Sequence, residues 1–352
     1  MKFARYLIPV LLLGFSLTAC DDKQSYETGQ KPPVETKPQP KVQRLPGVTV
    51  PQFSGDSAYY FVEQQLAFGP RVPNTKEHRQ TAAWLVETFK GYGAEVTEQD
   101  FTAKAYTGQE LFLKNIIASY KPEAKKRLML AAHWDTRPYA DKDADSTQWR
   151  KPIAGANDGA SGVAVLLEIA RVLSQSNMPG VGVDLVLFDG EDWGEPEFYD
   201  QDLKVANIRQ GITYWCLGSQ HWAASKHKPG YSAYFGILLD MVGAKDALFY
   251  QEGYSRQLAP SVVRKVWAWG NELGHGNHFI NKSSSELIDD HIFMNQGGVP
   301  SIDIIQFDPT DDFYFGSYHH TQDDDIDIIS KETLQAVGET LLHVVYHEPV
   351  SQ

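Results

Sequence analysis

Arg127-Leu128-Met129-Leu130-Ala131-Ala132-His133 and Val183-Asp184-Leu185-Val186-Leu187-Phe188-Asp189 are two mainly apolar runs, each ending on a polar side chain, with a helical-period stretch at 160–175 between them. Runs of this kind suit strands buried on both faces, and such strands separated by helices build a largely parallel sheet. Working outward, the same reading predicts strands at 109–119, 234–241 and 299–305 and helices at 56–68, 75–91, 218–227, 258–274 and 330–347. The expected fold class is α/β: three layers, α/β/α, around a central mixed, mostly parallel sheet. With 352 residues and 42% hydrophobic side chains the chain can bury a sizeable core. No internal repeat or long charge block interrupts residues 52–352, which read as a single domain.

The amino terminus has a different character. Lys2 and Arg5 precede an apolar run from Tyr6 to Leu17, which gives way to Thr18-Ala19-Cys20. This resembles a bacterial lipoprotein signal. The resemblance implies removal of residues 1–19 and acylation of Cys20, leaving an exported protein lipid-anchored to a bacterial membrane, on the periplasmic side or the cell surface. A plain secretory signal with an incidental cysteine is the alternative; a spanning helix would need about 20 apolar residues. Residues 20–51 are polar and proline-studded, which predicts a disordered tether. The formal charge of −13 argues against a nucleic-acid partner and against membrane contact other than through the lipid. Small or peptidic partners and a monomer are expected. Cys216, the only other cysteine, reads as a small buried hydrophobe with no catalytic part.

In an open α/β sheet ligands bind beyond the carboxyl ends of the strands. There the sequence places His133 and Asp135, Asp158, Glu191 and Asp192, Asp240 and His320. Any one of these acids alone reads as a solvated loop residue or a helix cap, as Asp158 does before the helix near Ala160. Together they form a donor set suited to Zn²⁺, which takes imidazole nitrogen and carboxylate oxygen and, in catalytic sites, three protein ligands with one position open.

His133-Trp134-Asp135, Gly155-Ala156-Asn157-Asp158-Gly159-Ala160-Ser161-Gly162, Phe188-Asp189-Gly190-Glu191-Asp192, Gly218-Ser219-Gln220-His221, Leu239-Asp240-Met241-Val242-Gly243, Asp289-Asp290-His291-Ile292-Phe293 and His320-Thr321-Gln322-Asp323-Asp324 follow one another in an order that resembles the zinc aminopeptidase superfamily from about 65 to 347. Ile288-Asp289-Asp290-His291-Ile292 and Gly298-Val299-Pro300 bring the likeness closer to the animal-type glutaminyl cyclases, which turn an N-terminal glutamine into pyroglutamate and release ammonia. The resemblance implies that Asp158, Asp192 and His320 hold one Zn²⁺ and that Glu191 is general base and acid. It also implies that Asp240 and Asp290 form a proton-sharing hydrogen-bonded network. The expected partners are peptide or protein N-termini bearing glutamine.

His133 and Asp135 are open to two readings: hydrogen bonding, as in the cyclases, or a second metal held by His133 and Asp240 with Asp158 bridging, as in the two-zinc aminopeptidases. The second reading makes the chain a metallo-aminopeptidase removing N-terminal residues, with two zinc ions. A non-catalytic binding lipoprotein is a third reading, against which the full ligand set and Glu191 stand.

Several features depart from the cyclase pattern. Asp192 stands where many relatives carry glutamate. His319 precedes His320, and either ring has the chemistry to bind metal. The insertion from Trp193 to Leu217 reads as a lid or as a surface loop packed by its own aromatics. Ile288 and Phe315 are expected either to line a slot for the glutamine methylenes or to pack in the core, with Trp193 a weaker pocket candidate. His275 and His278, near a helix end, read as surface residues.

Overall fold

The structure, a computed structural model, describes residues 41–350. The expected signal peptide at 1–19, Cys20 and the tether as far as residue 40 lie outside the described residues.

Four strands stand side by side and parallel: β4 (Gly182–Phe188), β3 (Arg127–His133), β5 (Phe235–Asp240) and β8 (Ser301–Ile305). Every residue of β3, β4, β5 and β8 is buried, as sheet positions covered on both faces should be. A long antiparallel hairpin, β1 (Glu95–Lys104) and β2 (Glu110–Tyr120), extends the sheet by pairing β2 antiparallel to β4, giving the order β1-β2-β4-β3-β5-β8. A two-stranded parallel ribbon, β6 (Phe249–Gln251) and β7 (Phe279–Ser283), stands apart from it.

Alternate side chains of one strand enter different cores. Leu128, Leu130 and Ala132 of β3 join a large core with α1 (Gly55–Leu66), α2 (Lys76–Gly91), α3 (Ala160–Gln175), α7 (Pro260–Glu272) and α9 (Lys331–Tyr346). Met129 and Ala131 join a smaller one, with Trp222 of α5 (Leu217–Ala224) and Met294 of α8 (Asp290–Gln296). The period-two alternation therefore builds the three layers, one thick and one thin. Two short helices, α4 (Gln201–Arg209) and α6 (Gly253–Leu258), complete the set. Ser54, Thr75 and Ser330 cap α1, α2 and α9 by accepting backbone N–H bonds from Ser57, His78 and Thr333, each worth about 1 kcal/mol.

Three expectations need correction. The helix expected at 258–274 is α7, starting two residues later at Pro260, and a separate short helix that was not expected, α6, precedes it across Ala259. Residues 42–50 belong with the domain: Val42, Val48 and Val50 pack on the large core, and the Leu45 N–H donates to His347 Nδ1 at 3.0 Å. His278 is buried and bonded through Nδ1 to the Ala247 carbonyl at 2.8 Å, while His275 is half-buried against Glu339.

Candidate metal centre

The carboxyl ends of β3, β4 and β5 are neighbours in the sheet, so whatever follows them is gathered in one place. His133 closes β3, Asp240 closes β5, and Glu191 and Asp192 sit in the turn after β4. Asp158 arrives on the loop that enters α3, where Gly159, and not Asp158, occupies the cap position.

That loop is clamped from elsewhere in the chain. Asp324 accepts the N–H bonds of Asn157 and Asp158 at 2.7 and 3.2 Å, Arg71 donates to the carbonyls of Ala154 and Gly155, and Asn157 Oδ1 accepts from Gly243 and Ala244. Gly159 is required by close approach, because a Cβ there would lie 2.4 Å from His133 Nε2. Asp135 holds the other turn by accepting the N–H bonds of Glu191 and Asp192 at 3.0 and 3.3 Å. Its place is behind the site.

Asp158 Oδ2 and Asp192 Oδ1 approach the same atom, His320 Nε2, at 3.6 and 3.4 Å. Ligands about 2.0–2.1 Å from a tetrahedral ion lie roughly 3.3 Å from one another, so His320 is spaced from each of the two carboxylates as one zinc ligand is from another. Asp192 Oδ2 is buried without a hydrogen-bond partner, as a carboxylate oxygen suited to a cation would be. Burial, reinforced by Arg137, pushes His320 well below the usual histidine range and keeps the ring neutral, the form that ligates. His320 sits at φ 59°, a strained conformation for a non-glycine residue that recurs at functional sites. His319 also comes close, its Nε2 3.9 Å from Asp158 Oδ2, but its Nδ1 meets the Lys142 ammonium at 3.1 Å. Among the described residues, Asp158, His319 and His320 make one potential ligand group and His133, Asp158 and Asp240 another.

The second group is closed by hydrogen bonds. His133 Nε2 lies 3.1 Å from Asp158 Oδ1 and 3.2 Å from Asp240 Oδ1. Burial opposes a charge on this ring, but Asp135, Asp158 and Asp240 outweigh it and hold its pKa well above normal. Burial lifts Asp240 to about 7, with His133 acting in the opposite direction.

Glu191 is half-buried on the pocket wall and accepts a hydrogen bond from Cys216 Sγ at 3.2 Å. Its ligand atoms and those of Asp289 and Cys216 fall within 4.8 Å of one another. Burial, then the neighbouring Asp289, pushes its pKa well above the carboxylate range. The expected partner Asp290 is instead turned under the pocket floor, where Ser219 Oγ donates to it. Asp289 takes the place in the wall, in extended conformation as the N-cap of α8. Among the described residues Asp290 bonds to Ser219 and Asp240 to His133, in place of the expected Asp240–Asp290 pairing, and it is Asp289 that lines the pocket with Asp240 and Glu191. No sequence signal separates two adjacent aspartates of this kind.

A cavity of about 1050 Å³ opens over these groups, walled by Ile288, Phe315, Leu287, Leu258 and Trp215. Ile288, 69% exposed, and Phe315 therefore belong to the pocket and not to the core. Trp193 does not: it is buried against Ala105, Leu111, Leu113 and Leu217. From the same insertion Trp215 supplies the wall, its ring within 9° of parallel to that of His320. Phe198, Tyr199 and Tyr214 pack instead with Tyr106, Tyr139 and Trp149.

The residues from 115 to 345 match the model of peptidase family M28, and the chain belongs to that family. Within it the similarities are more particular. A Bacteroides thetaiotaomicron glutaminyl cyclase, solved bound to N-acetylhistamine, shares 48% identity over 86% of this chain and all of its own, with a TM-score of 0.81. A Tannerella forsythia glutaminyl cyclase is similar to the same degree, at 48% identity and a TM-score of 0.80 over 85% of this chain and all of its own. The glutaminyl-peptide cyclotransferase of Drosophila melanogaster is 26% identical over 75% of this chain and 73% of its own. The match to the Escherichia coli protein YfbL, 32% identical, spans about half of each chain.

Proposed function

We propose that this protein is a glutaminyl-peptide cyclotransferase, closing the N-terminal glutamine of peptides and proteins into pyroglutamate with loss of ammonia. The observation that carries the reading is Glu191: a half-buried carboxyl group in the pocket, beside the Asp158, Asp192 and His320 cluster and not itself in it. Asp158, Asp192 and His320 would hold one Zn²⁺, which when bound polarises the side-chain amide carbonyl of the glutamine as a Lewis acid.

The chain's own groups do the rest. Ile288 and Phe315 wall the space for the two methylenes, and Glu191 takes a proton from the α-amine as that nitrogen attacks the amide carbon. The raised proton affinity of Glu191 suits the return step, in which the same carboxyl hands the proton to the departing nitrogen. Asp289 and Asp240 line the same pocket as Glu191, and the thiol of Cys216 fixes one oxygen of the base. No covalent link to the protein is required.

A glutaminyl peptide assayed for pyroglutamate and ammonia, beside a leucyl substrate assayed for free leucine, separates this reading from a two-zinc aminopeptidase. Cyclisation without leucine release is expected, with one zinc per chain. Leucine release without cyclisation overturns the proposal. We propose further, from the resemblance of residues 1–20 to a lipoprotein signal, that Cys20 is the lipid attachment site of an exported protein held at a bacterial membrane.

A further inference from the structure

Arg137 is fully buried four residues beyond the end of β3, and each of its three guanidinium nitrogens is engaged. Nε and Nη2 donate to the two oxygens of Asp141 at 2.6 and 2.7 Å, a two-point pairing that fixes the plane of the guanidinium. Nη1 is left for Asp192 and meets it twice, at 3.2 Å from Oδ1 and 3.3 Å from the backbone carbonyl. The oxygen so held is the one that faces His320 Nε2. The opposite edge of the assembly reaches His320 as well: Asp141 Oδ1 lies 3.8 Å from its Nδ1, and the Lys142 N–H donates to its carbonyl at 3.2 Å. Above the plane, the Trp215 ring lies 4.8 Å from the guanidinium carbon.

We infer that Arg137 is a positioning residue for the metal centre, acting through Asp192: its planar fork, locked by Asp141, fixes the carboxylate of a short aspartate ligand in the orientation the cation needs. This rests on the zinc reading above and adds a residue to it. The two-point pairing with Asp141 makes the orientation of the fork, and not its charge alone, the working element. A lysine carries the same charge but offers a point donor in place of a fork, and cannot pair edge-on with Asp141 while also bridging Oδ1 and the carbonyl of Asp192. Loss of an orienting partner behind a metal ligand typically weakens metal binding ten- to a hundredfold.

The test is zinc affinity, read by competition with a chromophoric chelator, together with the melting temperature of the zinc-free protein. Arg137→Lys is expected to bind zinc ten- to a hundredfold more weakly than the parent while its zinc-free form still unfolds cooperatively, at a temperature lowered by the loss of the two-point pairing with Asp141. Should that variant fail to fold, Arg137→Met combined with Asp141→Leu, which removes both members of the buried pair, takes its place with the same expected weakening. Zinc affinity within threefold of the parent overturns the inference, with or without a lower zinc-free melting temperature. A parent that binds no zinc overturns the metal reading along with this one, whereas tight binding by parent and variant alike overturns this one alone.

Discussion

At the scale of single residues, the site depends on groups held in place by others. Glu191→Gln removes the proton acceptor with almost no change of shape, and general acid–base groups contribute about 10²–10⁴ in rate. We expect ammonia release to fall at least a hundredfold with zinc content unchanged; turnover within threefold of the parent would take Glu191 out of the reaction. Gly159→Ala puts a Cβ 2.4 Å from His133 Nε2, displacing an imidazole bonded to Asp158 and Asp240. Overpacking of this kind costs about 1–3 kcal/mol, measurable as a lower urea midpoint, and cyclisation should fall with it. A variant as stable and active as the parent would show that the contact relaxes freely. Side-chain type made most of this site legible: carboxylates and histidines at the ends of apolar strands announce themselves. What was not legible is direction. Asp289 and Asp290 are identical in composition, and only the turn from an extended cap residue to the first helical residue sends one into the pocket and the other to Ser219. Arg137, buried and fully bonded, left no trace in a linear reading, since its partners lie 4 and 55 positions away.

At the scale of elements, β3, β4, β5 and β8 were readable because they are covered on both faces and so carry long apolar runs. The hairpin strand β1 was not. Glu95–Lys104 lies at the sheet edge with half-buried and exposed residues alternating, so its apolar content is too thin to mark it. The pocket wall built by α6 and α8 depends on one carboxylate. Glu252 accepts the N–H bonds of Tyr254 and Ser255 at the head of α6 and of Leu287 in the approach to α8, at 2.8, 2.6 and 2.9 Å. Burial opposes its charge, but His291 and these donors prevail and bring its pKa from 4.5 to about 2. A depressed folded-state pKa contributes stability that is complete above the unfolded value and disappears as pH falls through the folded one. The window is therefore between about 4.5 and 2, and the amount is roughly 3 kcal/mol at most. Thermal melts across that window should show a parent that loses stability more steeply than Glu252→Gln; identical slopes would remove Glu252 as the cause.

At the scale of the whole molecule, the amino-terminal signal predicts a membrane-held enzyme. Cys20→Ala should move the protein from the detergent phase to the aqueous phase in a Triton X-114 partition without changing turnover, and retention in the detergent phase would rule out the anchor. Within the domain, the strands whose ends carry the site, β3, β4 and β5, lie between Arg127 and Asp240, while His320 and Asp324 come near the end of the chain. The bond that clamps the turn carrying Asp158 joins residues 167 positions apart. A chain that emerges amino terminus first can therefore begin to lay down its sheet long before it owns a working centre. Catalytic competence and a complete core arrive together, since α9 follows soon after Asp324, and a product of early termination ahead of Asp324 would lack both the clamp and one wall of the core.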